Sequence, residues 1–286
     1  MMAEYEKRGY LLENFRLFHL RSEGNVKVDY HYHDFCKLLL LVSGSGSYVV
    51  DGHRYLLRSG DVIRIGSRSV HCPDLESGMY ERIIIYISPE FLQKQSDEGC
   101  DLRELFSVQQ GHVLRLREQE RRKIFAMAAD LERELSGGEY GRVILSNAAL
   151  LRLLVELGRS LRGEGIQSLQ PAIAPNPRVT ELKQYLDSHL AEDLNIDELA
   201  EAFYISKFHM MRLFHREMGL TIYNYLTQRR LLHARDLMGQ GMRATEACYR
   251  SGFRSYSSFT RAYSKHFGTT PTGRMDSAYE RDENFE

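Results

Sequence analysis

Short apolar runs separated by turn residues fill the first third of the chain, from about Phe15 to Ile87. Val26–Tyr32, Lys37–Val42, Gly46–Val50, His53–Leu57, Val62–Ile65 and Arg82–Ile87 are rich in β-branched and aromatic residues, the composition of strands. Ser43-Gly44-Ser45-Gly46, Asp51-Gly52 and Ser59-Gly60-Asp61 punctuate them. Asp51-Gly52 is a strong two-residue hairpin signal, because both turn positions require positive φ. Strands at this spacing predict a small antiparallel barrel or sandwich. The period then changes to that of helices over Glu118–Leu135 and Arg142–Arg162. Gly137-Gly138 breaks the two, which predicts an antiparallel helical hairpin. Such a hairpin covers the barrel, and it also offers a surface for dimerisation.

Residues Gly163 to Arg178 lack periodicity and contain Pro171, Pro175 and Pro177, so they read as a linker. Helical patterns resume and continue almost to the end. The expected organisation is therefore an N-terminal domain over 1–162, a linker over 163–177, a helical domain over 178–276 and a tail over 277–286. The fold class is α+β.

The helical part contains an internal repeat. Asp197–Phe203 reads as a helix capped by Asn195 or Asp197, and Ser206 can cap the next one. Small Ala200 suits a close helix crossing, and Met210, Leu213 and Phe214 form an inward face. Ala247-Cys248 matches Leu199-Ala200 at an offset of 48 residues. Ser255, Phe259, Arg261, Tyr263 and Gly268 match Ser206, Met210, Arg212, Phe214 and Gly219 at 49, so one residue is inserted in the second turn. Two helix-turn-helix units follow from this, with Thr221–Met238 as a single connecting helix. Rigid spacing matters, since recognition helices enter successive major grooves about 34 Å apart.

Charge supports the same reading. The chain of 286 residues carries a formal net charge of −1, yet Ser206–Met275 holds twelve Lys and Arg against three acids. That segment is +9 and the remainder −10. A basic segment of this kind is the footprint of a phosphate-binding surface. The four cysteines, Cys36, Cys72, Cys100 and Cys248, form no C-x-x-C pair and read as reduced thiols. The chain has neither a signal-peptide core near its start nor an apolar run of about 18–20 residues, so a cytoplasmic protein without membrane contact is expected.

Gly252-Phe253-x-Ser255, Phe259-x-Arg261-x-Tyr263, Phe267-Gly268-x-x-Pro271 and Arg274 resemble the AraC/XylS family of bacterial transcription regulators. The resemblance covers about Arg178 to Met275. It implies a seven-helix module that binds double-stranded DNA. By family position, Lys207, Phe208, Met211 and Arg212 face the groove from the first recognition helix, next to the cap Ser206. Tyr256, Ser257, Ser258, Thr260 and Arg261 do so from the second, next to Ser255. Arg212 and Arg261 suit bidentate guanine contacts, with phosphate anchoring as the competing role. The family usually has glycine in the first turn where this chain has Tyr204. A bulky residue at positive φ is strained, so that turn is expected to be distorted.

The N-terminal barrel looks like the cupin fold that many such regulators carry as a sensor. Strand alternation puts His31, His33, Phe35 and Lys37 on one face. Cupins hold a divalent metal with H-x-H, a following Glu and a later His, but Lys37 stands where that Glu would fall. An ammonium opposes a cation there, so no metal and no cofactor is expected. His31, His33, Lys37, Tyr48 and His71 instead suit an effector pocket for an anionic or hydroxyl-bearing small molecule such as a sugar or small acid. The reading is a non-enzymatic, effector-responsive, homodimeric regulator, with RNA polymerase as a further partner open to it. Two rivals stay open: a cupin metalloenzyme with a DNA-binding tail, and an effector-free dimeric DNA-binding protein.

Overall fold

The structure, a computed structural model, describes residues 11, 13–23, 28–75, 78–107, 111–163 and 165–272. The chain divides after Pro175 into two compact units.

In the first unit, strands β1 (Phe15–Glu23), β2 (Cys36–Ser43), β5 (Asp61–Ile65), β7 (Met79–Ile87), β8 (Val113–Leu116) and β9 (Ile166–Ser168) form one sheet. β3 (Ser45–Val50), β4 (His53–Arg58) and β6 (His71–Leu75) form a second. The strand orders are β1-β7-β2-β5-β8-β9 and β4-β3-β6. β2 is a central strand whose run Cys36–Leu41 is buried throughout, as expected for a strand covered on both faces. Its alternation sorts the core into two layers. Leu38 and Leu40 join Val62, Ile83, Ile85 and Ile87, with Phe91 and Leu92 of the short helix α1 (Pro89–Gln95), under the helices α2 (Glu118–Ser136) and α3 (Arg142–Arg162). Phe35, Leu39 and Leu41 face the other way, against Tyr48, Val50 and Tyr55 of the second sheet. The two sheets therefore pack face to face, and the strand pairing leaves them as two sheets. Asp51 and Gly52 have φ of 48° and 80°, the paired positive values that the β3–β4 hairpin needs.

Two expectations need correction. Val26 and Lys27 lie outside the described residues, and Val28–Tyr32 is not a strand, having a single bridge from His31 to His71. Apolar β-formers supply no strand unless a partner edge is within reach, and β6 offers only one residue here. The segment 163–177 is not a free linker either. Ile166–Ser168 pairs with β8, and Ile173 bridges Arg54 of β4, so the chain straps one sheet to the other. Only Ala174 and Pro175 separate this strap from Asn176. β1, β6 and β8 also escaped the sequence reading as separate strands. β1 pairs with β7 along its whole length.

The second unit contains six helices among the described residues: α4 (Pro177–Ser188), α5 (Ile196–Ala202), α6 (Lys207–Met218), α7 (Ile222–Gly239), α8 (Ala244–Arg250) and α9 (Tyr256–Phe267). Arg274 lies outside the described residues, and the seventh helix that the resemblance implies is not among those described. Asn195, Ser206, Thr221 and Ser255 each accept a first-turn backbone N–H at α5, α6, α7 and α9. Caps of this kind contribute roughly 1 kcal/mol each. Gly219 and Gly268 close α6 and α9 in the left-handed region, at φ of 67° and 70°.

Candidate DNA-binding and effector sites

The repeat holds down to individual hydrogen bonds. Ile205 N–H donates to Ala200 O at 3.0 Å, and Phe253 N–H donates to Cys248 O at 3.1 Å. Tyr204 N–H donates to Glu201 O, and Gly252 N–H to Tyr249 O, each at 3.0 Å. Tyr204 (φ 53°) and Gly252 (φ 92°) both sit in the left-handed region. The first turn is thus not distorted, contrary to expectation. It keeps the geometry of the second and tolerates the strain. Tyr204 is 92% exposed, so its side chain meets no neighbour that would add to the cost.

Behind the turns, Met210, Leu213 and Phe214 of α6, and Phe259, Tyr263 and Phe267 of α9, are buried. This face sets the roll of each helix and leaves Arg212 and Arg261 exposed on the other side. Neither arginine has a hydrogen bond or ion pair among the described residues, so both guanidinium forks are available. Phe208 is 72% exposed, whereas Met211 and Tyr256 are half-buried. Lys207 Nζ donates to Asp197 Oδ2 at 2.8 Å, a partner that the sequence reading did not assign. Both side chains are solvent-exposed, and such a pair is weak enough to open. Ser206 and Ser255 are engaged as caps through their hydroxyl oxygens, Ser255 also sharing a 2.9 Å hydrogen bond with the half-turn neighbour Ser257. Thr260 Oγ1 donates to Tyr256 O at 2.9 Å, so its hydroxyl keeps only acceptor capacity. Ser257 and Ser258 are exposed.

In the first unit the structure brings all five predicted effector residues together. The His31 and His71 rings lie 4.2 Å apart, His33 and His71 4.7 Å, and Tyr48 and His71 6.1 Å, centroid to centroid. Lys37 is 3% exposed, and its Nζ donates to Tyr48 Oη at 3.1 Å. Each histidine places Nδ1 against a backbone carbonyl: His31 on Asp29 at 2.8 Å, His33 on Phe35 at 2.7 Å, His71 on Ser69 at 3.0 Å. A carbonyl only accepts, so Nδ1 carries the proton, and in the neutral ring Nε2 is an acceptor. The buried Nε2 atoms of His33 and His71 meet no protein donor. Burial, then the charges of Lys37 and His31, push His33 well below the ordinary histidine range. Burial, then His31 and Lys37, do the same to His71. His33 and His71 are therefore neutral acceptors beside the Lys37 ammonium.

A cupin metal does not fit it. Lys37 puts a positive charge in the cluster, and no group of three His, Cys, Asp or Glu among the described residues is placed to hold an ion. A second pair of histidines, unassigned from sequence, lies nearby. His53 and His112 rings are 6.3 Å apart, and His53 Nδ1 and His112 Nε2 are buried without a partner. The only sequence signal was that His53 opens the strand after the Asp51-Gly52 turn; His112 carried none.

Comparisons with known proteins divide along the same boundary. Residues 14–154 match the profile of the AraC-like ligand binding domain, and residues 199–274 match a helix-turn-helix domain. An HTH-type transcriptional activator RhaS of Enterobacter sp. (strain 638) is 25% identical over 250 residues, 84% of this chain and 85% of that protein. The uncharacterized HTH-type transcriptional regulator YbfI of Bacillus subtilis is 26% identical over 224 residues, 78% of each chain. Among solved structures, the C-terminal domain of AraT, a response regulator from Geobacillus stearothermophilus, is 26% identical (TM-score 0.33, 35% of this chain, 84% of that one). Fatty-acid-bound ToxT from Vibrio cholerae is 13% identical (TM-score 0.37, 91% of this chain, 95% of that one). A β domain of ligand-binding type joined to tandem helix-turn-helix units defines an effector-responsive, DNA-binding transcription regulator. The chain belongs to the AraC/XylS family. No helix among the described residues is long and apolar enough to cross a membrane.

Proposed function

We propose that this regulator reads its operator mainly through α9, with Arg261 making a bidentate guanine contact and Ser257, Ser258 and Thr260 beside it. α6 contributes Arg212, Lys207 and the apolar contacts of Phe208 and Met211. The carrying observation is the repeat itself: two capped helices rolled alike by buried faces, each presenting an unpaired arginine at the equivalent position. Arg261→Ala is expected to cost about 1–3 kcal/mol on the cognate operator and to relax the preference at one base pair. Equal weakening on every sequence in a binding-site selection assay would assign Arg261 to phosphate instead.

The effector is a small hydroxylated or anionic molecule held by His31, His33, Lys37, Tyr48 and His71. Its hydroxyls donate to the Nε2 atoms of His33 and His71, and Lys37 answers an acidic group. The protein acts in the cytoplasm as a regulator rather than an enzyme. RNA polymerase is the partner through which activation, the role named for the RhaS relatives, is exerted.

Dimerisation through the helical hairpin brings two DNA-binding units to two half-sites. At the start of α3, Val143, Ile144 and Leu145 are all largely exposed, next to fully exposed Tyr140, an apolar patch with a cost in water. Ile144→Asp is expected to convert a dimer into a monomer in sedimentation experiments while leaving the unfolding temperature nearly unchanged. A dimer that survives Ile144→Asp and Tyr140→Asp together would place the interface elsewhere.

A further inference from the structure

The strap at the end of the first unit touches the β-domain interior and runs directly into the chain that starts the second unit. Leu169 packs among the buried interior residues, and its N–H donates to Val113 O at 2.9 Å. Ala172 N–H donates to Arg54 O at 2.8 Å, and Arg54 N–H donates back to Ile173 O at 2.9 Å. Val113 and Arg54 are the residues that directly follow His112 and His53. The strap is thus pinned at two points, each one peptide unit from a histidine with an unsatisfied buried nitrogen. Three residues beyond Ile173 comes Asn176, the cap of α4, whose N–H donates to Glu217 Oε2 near the C-terminal end of α6 at 3.1 Å.

The two histidine groups share one end and one face of the interior. Val50 pairs with His53 on one side and with His71 on the other, and His71 bridges His31. Directly paired residues point to the same face, so His53, Val50, His71 and His31 form one row. His53 and His71 stand two strand spacings apart, about 10 Å. Tyr55, buried in the same interior, approaches His112 edge-on at 6.0 Å between centroids. His112 Nδ1 lies against Arg64 O at 3.4 Å, which leaves its Nε2 as an acceptor.

We propose that His53 and His112 form a second contact pair for the effector, a hydroxylated carboxylic acid, and that ligand held there sets the strap Ile166–Ile173 and hence the α4–α6 end of the DNA-binding unit. This rests on the reading of the β domain as the effector site. A ligand hydroxyl donates to His112 Nε2, another, which can donate or accept, satisfies His53 Nδ1, and the carboxylate meets Lys37. Moving either imidazole moves the neighbouring backbone group that holds the strap. The coupling then needs only the continuous chain, because the Asn176–Glu217 bond lies within the second unit and fixes the start of α4 to α6.

The test uses the full chain and a panel of aldonates with their matching alditols, D-gluconate and D-glucitol among them. Unfolding temperature reports binding, hydrogen exchange reports the amides of Arg54, Leu169 and Ala172, and operator affinity reports output. An aldonate is expected to bind more tightly than its alditol and to slow exchange at those three amides. His53→Leu and His112→Leu should each weaken it about tenfold. His53 is half-buried, so its variant keeps the test informative if loss of His112 impairs folding. Ala172→Pro removes the strap donor and should leave aldonate binding intact while making operator affinity indifferent to it. Aldonate binding that is lost in Lys37→Met, yet leaves strap exchange and both histidine variants unchanged, would overturn the strap and preserve the effector site. Absence of binding by every panel member would overturn both.

Discussion

Gly252→Ala is expected to destabilise the DNA-binding unit by about 2–4 kcal/mol, enough to abolish operator binding at ordinary temperatures. Two independent costs add. At φ of 92° the backbone is in a region that L side chains rarely adopt. A Cβ placed there would also lie 2.4 Å from Leu190 O, 2.9 Å from Arg230 Nε and 3.0 Å from Ala191 Cα. Arg230 is itself committed to that loop, donating from Nε to Leu190 O at 2.7 Å and from Nη2 to Glu192 O at 2.8 Å. The backbone atoms cannot move without breaking these bonds. The equivalent Tyr204 provides the control, because it bears the conformational cost alone. Tyr204→Gly is expected to change stability by less than about 1 kcal/mol, toward greater stability. Urea unfolding of the two variants measures both numbers. Similar midpoints for Gly252→Ala and wild type would show that the Leu190–Arg230 contact is not the constraint.

That pair of positions also shows what was legible in the sequence. The offset of 48 before the turn and 49 after it locates Tyr204 opposite Gly252, and Arg254 is the residue that the shift leaves unmatched. Caps and glycines are local chemistry, so helix starts and stops could be read from Asn195, Ser206, Thr221, Ser255, Gly219 and Gly268 alone. Strands are different, since a strand exists only where a partner edge accepts it. Val28–Tyr32 has the composition and lacks the edge, whereas Ile166–Ser168 has an undistinguished composition and gains β8 as partner across about fifty residues of helix. The prolines at 171 and 175 spoke for a linker, and proline is in fact tolerated at sheet edges where its missing N–H is not needed. In the effector cluster, alternation along a real strand grouped Lys37 with Phe35, while His31 and His33 joined them through an irregular segment. His112 enters from a remote part of the chain, which no local pattern announces.

Acidification from pH 7 to 5 is expected to unfold or severely loosen the β domain and to weaken the helical unit less, where burial and then Arg235 hold His266 alone down to about 4. His33, His71 and His112 are buried, and burial is the largest cause holding each below the ordinary histidine value. In the unfolded chain they take up protons near pH 6.5, but in the folded protein only at lower pH. The unfolded state therefore binds more protons below about pH 6.5, and stability falls as the pH falls through that window. A group whose folded-state value lies below the window contributes up to about 1.4 kcal/mol per pH unit there, and His33 and His71, held well below the ordinary histidine value, contribute most. Asp101, held at about 2 by its hydrogen bonds from Arg103, titrates far below this window. Lys37 sharpens the effect at His33 and His71, since a protonated ring there would face an ammonium already in place. Urea midpoints measured at pH 7 and pH 5 check the prediction, and His33→Leu or His71→Leu should each make the dependence shallower by about one proton's slope. Equal midpoints at the two pH values would mean that the rings reach solvent without unfolding. The bare Nε2 atoms would then be accessible to water in the resting protein, and a ligand would gain little by satisfying them.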